Sequence, residues 1–208
     1  MTNAARQATA ALVTGLAMAM GEWASANDEP IAATGQRETT IVVHVANYAA
    51  LSPHVLDRAR ARVEQVYEAI GVRTVWVESE DTVRPRQDGR RHLTVILLPH
   101  DMAEKIISAH RIADQVLGQA HRASGRAYIF CDRIAAAHGA PTLLSLPLGN
   151  VIAHEMGHLL LRENRHSHNG IMRANVDLHA IQRQNFDQSQ ASAIRTMLLE
   201  RTADITAK

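Results

Sequence analysis

The sequence predicts an α+β domain in which a sheet of about five strands packs against a buried helix and a closing amphipathic helix. Short strand patterns recur at 39–46, 73–78, 92–98, 116–121 and 126–131. A clear helical period runs from 53 to 70, between the first two of them. Downstream, an apolar stretch from Leu148 to Leu161 encloses the pentapeptide His154-Glu155-Met156-Gly157-His158.

The elements follow in order. Ile41, Val42, Val43 and Val45 form a β-branched run within Thr39 to Ala46 that reads as a buried strand. Ser52-Pro53 opens a helix, because proline at the first helical position lacks only an N–H that has no helical partner. Val55, Leu56, Ala59, Val63, Val66 and Ile70 line one side of it, and Gly71 ends it. Strands follow at Arg73 to Glu78 and, beyond a polar loop from Ser79 to Arg91, at His92 to Leu98, where Pro99 stops the run. Asp101 to Ile112 is a short helix or an irregular segment, Val116 to His121 an edge strand, and Arg126 to Cys131 a strand with Tyr128, Ile129 and Phe130. Asn150 is the expected cap of the next helix. Asn175 to Phe186 reads as a loop or short helix. Asp187-Gln188-Ser189-Gln190 resembles a capping box, followed by an amphipathic helix with Ala191, Ile194, Met197, Leu198 and Ile205 on its apolar side.

The pentapeptide carries the chemistry. Residues four apart lie on one face of a helix, so His154 and His158 present two imidazoles to one ion while Glu155 stands beside them. Neutral imidazoles suit Zn2+, and a neighbouring carboxylate can act as general base. With twelve histidines in the chain, three fixed letters can coincide by chance. The surroundings decide, because Met156, Leu159, Leu160 and Leu161 continue an apolar helix in which buried histidine and glutamate need partners. Catalytic zinc takes three protein ligands and keeps an open position. The third donor is expected downstream, at His166 or His168.

These residues resemble the metzincin zinc metalloproteases, whose H-E-x-x-H-x-x-G-x-x-H motif precedes a turn containing methionine. His154, Glu155 and His158 match the first half, while Leu161 and Asn164 replace the glycine and the third histidine. His166-Ser167 looks like the matrixin His-Ser pair displaced by two residues, and Gly170-Ile171-Met172 like a short approach to the methionine turn. The resemblance implies a twisted mixed sheet. It also implies a metal held by His154, His158 and His166, Glu155 as catalytic base, and Met172 as the floor of the site. His168 is then the rival ligand or a substrate contact. The two extra residues would extend the helix by about half a turn and leave Asn164 as a left-handed cap. A segment such as Val116 to His121 would pair with an extended substrate.

Arg6, the apolar run Ala8 to Met20 and Ala24-Ser25-Ala26 fit a signal peptide over 1–26, which implies a secreted or periplasmic protein. Residues 27–208 then form one catalytic domain, with an N-terminal subdomain to about 164 and a short C-terminal subdomain over 165–208. The lone Cys131 has no disulfide partner in the chain and is expected as a small buried residue in a strand. A formal net charge of +1 suggests neither a nucleic-acid surface nor an electrostatic membrane anchor, and the basic stretch Arg84 to Arg91 reads as a solvated loop. No span crosses a membrane in the expected mature chain, and a monomer is expected. The resulting expectation is a zinc endopeptidase acting on peptide or protein substrates, either made active, restrained by a separate inhibitor, or narrow in substrate choice. A non-proteolytic zinc-binding recognition domain and a zinc hydrolase of a non-peptide substrate use the same ligands. Glu155 favours an enzyme, because a binding domain has no chemical need for it.

Overall fold

The structure, a computed structural model, describes residues 39–78, 88, 90–138, 144–162, 166–174 and 184–206, with side chains described as far as 200. Strands β1 (Thr39–Asn47), β2 (Val72–Glu78), β3 (Arg91–Leu98), β4 (Gly118–His121) and β5 (Arg126–Phe130) form one mixed sheet in the order β2-β1-β3-β5-β4. β1 runs parallel to β2 and β3, β3 runs parallel to β5, and β4 is antiparallel to β5 at the edge. The helices are α1 (Pro53–Glu68), α2 (His100–His110), α3 (Cys131–His138), α4 (Ser145–Leu160) and α5 (Gln188–Thr206). Among the described residues, no helix is long and apolar enough to cross a membrane.

Central parallel strands are covered on both faces, and their side chains divide accordingly. Ile41, Val43 and Val45 of β1 and Leu93, Val95 and Leu97 of β3 join Val63 and Val66 of α1 and Leu148, Val151 and Met156 of α4 in the main core. Ala46, Ile96, Leu98 and Phe130 point to the opposite face, where Ala103 and Ile107 of α2 cover them. Gly71, with φ +71°, turns the chain out of α1 and into β2. The segment 101–112 thus resolves as a helix, needed to close the second face. The edge strand begins at Gly118, two residues later than expected.

Three expectations need correction, and one helix was unforeseen. Cys131 does not belong to a strand: β5 ends at Phe130 and Cys131 opens α3 directly, with its thiol buried and pushed up to about 12 by desolvation. Helix α3 was not expected at all, since no glycine or proline marks the junction. Asn150 is not a cap, because α4 starts at Ser145 and Asn150 lies fully buried inside it. Pro147 fits the first turn, where its missing N–H has no helical partner. Nor does α4 run half a turn further: it stops at Leu160, and Leu161 leaves in an extended conformation at φ −80°, ψ 135°, which needs no glycine. Asn164, the expected cap, lies outside the described residues, as do the segments 1–26 and 175–183, the side chain of Ile205 and most of the basic stretch 84–91.

The capping box is present. Asp187 Oδ1 accepts from the Gln190 N–H at 2.8 Å, and the Asp187 N–H donates to Gln190 Oε1 at 3.1 Å. Ala191, Ile194 and Leu198 then bury the expected side of α5. The Gln190 N–H and the Ser189 hydroxyl, which donates to Oδ1 at 2.7 Å, hold the Asp187 carboxyl below its ordinary pKa. A lowered folded-state pKa contributes stability above the unfolded value that is lost as pH falls through the folded one. Replacing Asp187 with alanine should therefore cost about 1 kcal/mol at neutral pH. In urea unfolding, the gap from wild type should narrow below the ordinary carboxylate range.

Candidate metal centre

Helix α4 is buried along its length, with His154, Glu155 and His158 each 5–6 % exposed. Its helical period brings the two imidazoles together, so that His158 Nε2 lies 3.0 Å from His154 Nε2. A tight return delivers the third ring. The Ser167 N–H donates to the Met172 carbonyl at 2.8 Å, and Gly170, at φ +76°, allows a turn in which an added Cβ would overlap the Asn185 carbonyl. His166 Nε2 consequently reaches 3.2 Å from His158 Nε2. Among the described residues this is the one histidine, cysteine or carboxylate cluster with donor atoms close enough to share a metal ion. His168 is exposed and stands outside it.

The protonation pattern follows from the surroundings. The Ile171 carbonyl can only accept, so His154 Nδ1 carries the proton at 2.7 Å and Nε2 presents a lone pair. Desolvation pushes the His154 pKa down to about 4, with the nearby His166 adding to the fall and the Ile171 bond opposing it. Burial likewise lowers His158 to about 3, helped by His154, His166 and Arg122. Neutral rings at neutral pH are the form that ligates metal. The three imidazoles thus bring one ring nitrogen each to within 4.8 Å of one another, where a single cation could bind them together. Nitrogens bound tetrahedrally about 2.0–2.1 Å from zinc lie about 3.3 Å apart, so the donor type and spacing fit zinc.

Glu155 faces the edge strand. Burial raises its carboxyl to about 8, partly offset by a hydrogen bond from the Ala120 N–H. Gly118 gives it room, since an added Cβ there would lie 2.8 Å from Glu155 Cγ. The Phe130 N–H donates to the Leu117 carbonyl, so along the ladder Gly118 and Ala120 direct their backbone groups away from β5. A cleft of about 400 Å³ lies between this edge and α4, lined by Gly118, Ala120, His154, Glu155, His158 and His166.

One support of α4, Arg122, was invisible in the sequence. Arg122, just past β4, donates from Nε and Nη2 to the His158 carbonyl at 3.2 and 2.9 Å, and from Nη1 to the Arg162 carbonyl. It thereby satisfies carbonyls that the end of α4 leaves without helical partners. Met172, fully buried, packs on Gly157, where an added Cβ would overlap its sulfur. No local signal links Arg122 to a helix end some forty residues on, whereas a glycine inside H-E-x-x-H does hint at close packing.

Neither a family model nor a curated protein sequence matches the chain. Among solved structures it is similar to an archaemetzincin from Methanopyrus kandleri, at 14 % identity and a TM-score of 0.49, over 78 % of this chain and 96 % of that one. It is also similar to a zinc-dependent peptidase from Methanocorpusculum labreanum, at 15 % identity and a TM-score of 0.45, over 74 % and 99 %.

The contact under the histidines sets an expected outcome. Gly157→Ala should destabilise the metal-free protein by about 1–3 kcal/mol through overpacking. In a Met172→Ala background its cost should drop, so urea unfolding of the double-mutant cycle should show coupling.

Proposed function

We propose that this chain is a metzincin-type zinc endopeptidase. The observation that carries the reading is the convergence of His154, His158 and His166 at one end of a cleft in which the buried Glu155 faces a strand edge. Three imidazoles with a general base beside them are the parts of a metal-assisted hydrolase. When bound, zinc supplies a Lewis acid that acidifies water to a pKa of about 7 and polarises a carbonyl.

The chain's own groups account for the other requirements. His154, held by Ile171, and His158, on the helix end braced by Arg122, bind from a rigid element, and His166 completes the set from the turn. Glu155 must be a carboxylate to accept a proton from water, and a cation held by the adjacent neutral histidines would favour that form over the neutral acid. It then passes the proton to the leaving amine. The outward backbone groups of Gly118 and the outward carbonyl of Ala120 offer an extended peptide a partner on the cleft side, which favours a peptide substrate. The N-terminal pattern of Arg6, Ala8 to Met20 and Ala24-Ser25-Ala26 supports an exported enzyme.

Purified protein should hold about one zinc per chain, measured by elemental analysis. Its metal-dependent cleavage of a diverse peptide library should vanish in Glu155→Gln while the zinc remains. Cleavage that survives would place the base elsewhere, and zinc binding without any cleavage would leave a recognition domain or a hydrolase of another bond. His166→Ala should weaken zinc binding at least tenfold while His168→Ala leaves it unchanged. The reverse result would move the third ligand.

A further inference from the structure

Arg62 of α1 lies far from the cleft in sequence yet is 2 % exposed, next to the fully buried Asn150. Its Nε donates to Asn150 Oδ1 at 2.7 Å, and its Nη2 donates to the Gln184 carbonyl at 2.6 Å. Asn150 uses its other end as well, donating from Nδ2 to Gln184 Oε1 at 3.0 Å. Two side chains on adjacent helices thus grip one residue of the segment before α5, at both its backbone and its side chain. The helices come close enough because Gly149 has no Cβ: one placed there would lie 2.7 Å from the Ala59 carbonyl oxygen.

The gripped segment continues towards the metal centre. The carbonyl of Asn185, the next residue, accepts the Ile171 N–H at 3.0 Å, and the Ile171 carbonyl accepts from His154 Nδ1 at 2.7 Å. The position of that carbonyl sets both the tautomer and the ring orientation of His154. Hydrogen-bond partners behind metal-ligating histidines tune affinity as well as geometry. From this unbroken chain of contacts we infer that Arg62 and Asn150 are positioning residues for the metal centre, acting through Gln184, Asn185 and Ile171 on the His154 imidazole.

This inference rests on the reading of the three histidines as zinc ligands, and the experiment separates the two. Zinc affinity of the full chain is measured by competition with a chromogenic chelator, and ligand geometry by the visible spectrum of the cobalt(II)-substituted protein. Asn150→Ala should weaken zinc about tenfold or more and alter the cobalt spectrum. Gln184→Ala, which keeps the Arg62–Asn150 pair and the backbone acceptor, should show a smaller loss of the same kind and serves if Asn150→Ala does not fold. Tyr67→Phe is the control for stability alone. It removes another buried bond between α1 and α4, from the Tyr67 hydroxyl to the Ala153 carbonyl at 3.2 Å, and should leave affinity and spectrum unchanged. Wild-type affinity and spectrum in the Asn150 and Gln184 variants, or an equal loss in Tyr67→Phe, would overturn the positioning role while the zinc reading stands. A wild-type chain that binds no zinc would overturn both.

Discussion

Helix α4 places two imidazoles and a carboxylate inside an apolar core, and the cost of burying them shapes what surrounds it. Several of these groups are answered from different parts of the chain, although the buried His158 Nδ1 has no hydrogen-bond partner among the described residues. The Ile171 carbonyl meets His154, the Ala120 N–H meets Glu155, Arg122 meets the backbone at the helix end, and Arg62 meets Asn150. The helix therefore joins the edge strand, the first helix and the turn beneath it. Removing any of these answers would leave a buried group unsatisfied, a penalty larger than the net worth of the bond itself.

Burial also divides the work of the titratable groups. Desolvation moves the histidines and the glutamate in opposite directions, because it disfavours whichever form is charged. Neutral rings are the better ligands, so the same low-polarity site that makes His154 and His158 hard to protonate prepares them for a metal. Burial holds the Glu155 carboxyl towards its neutral form, and a cation bound by the histidines would favour the carboxylate. Rigidity comes from the sheet and α4, while His166 arrives on a turn held by Gly170 and Ser167.

How much could be read in advance depended on how local the cause was. The strands and α1 were legible because β-branched runs, a helical period and Pro53 act within a few residues. The capping box at Asp187 was legible for the same reason. Helix α3 was not, since Phe130 and Cys131 pass from strand to helix with no turn residue between them. Asn150 misled because a polar residue at the head of an apolar run looks the same whether it caps a helix or bonds an arginine 88 residues away. The end of α4 misled because the missing glycine suggested a longer helix, when an extended Leu161 turns the chain without positive φ.

What the amino-acid order determined by itself is the helical pairing of His154 with His158 beside Glu155, because a spacing of four on a helix is a property of backbone geometry. It also narrowed the third candidate donor to His166 or His168. Tertiary structure decided the rest. The return of the chain at Gly170 against Asn185 and the seat of Met172 on Gly157 bring His166 into the cluster and leave His168 exposed. Those contacts join residues far apart in the chain, and the distances between them are set by packing, which no local pattern encodes.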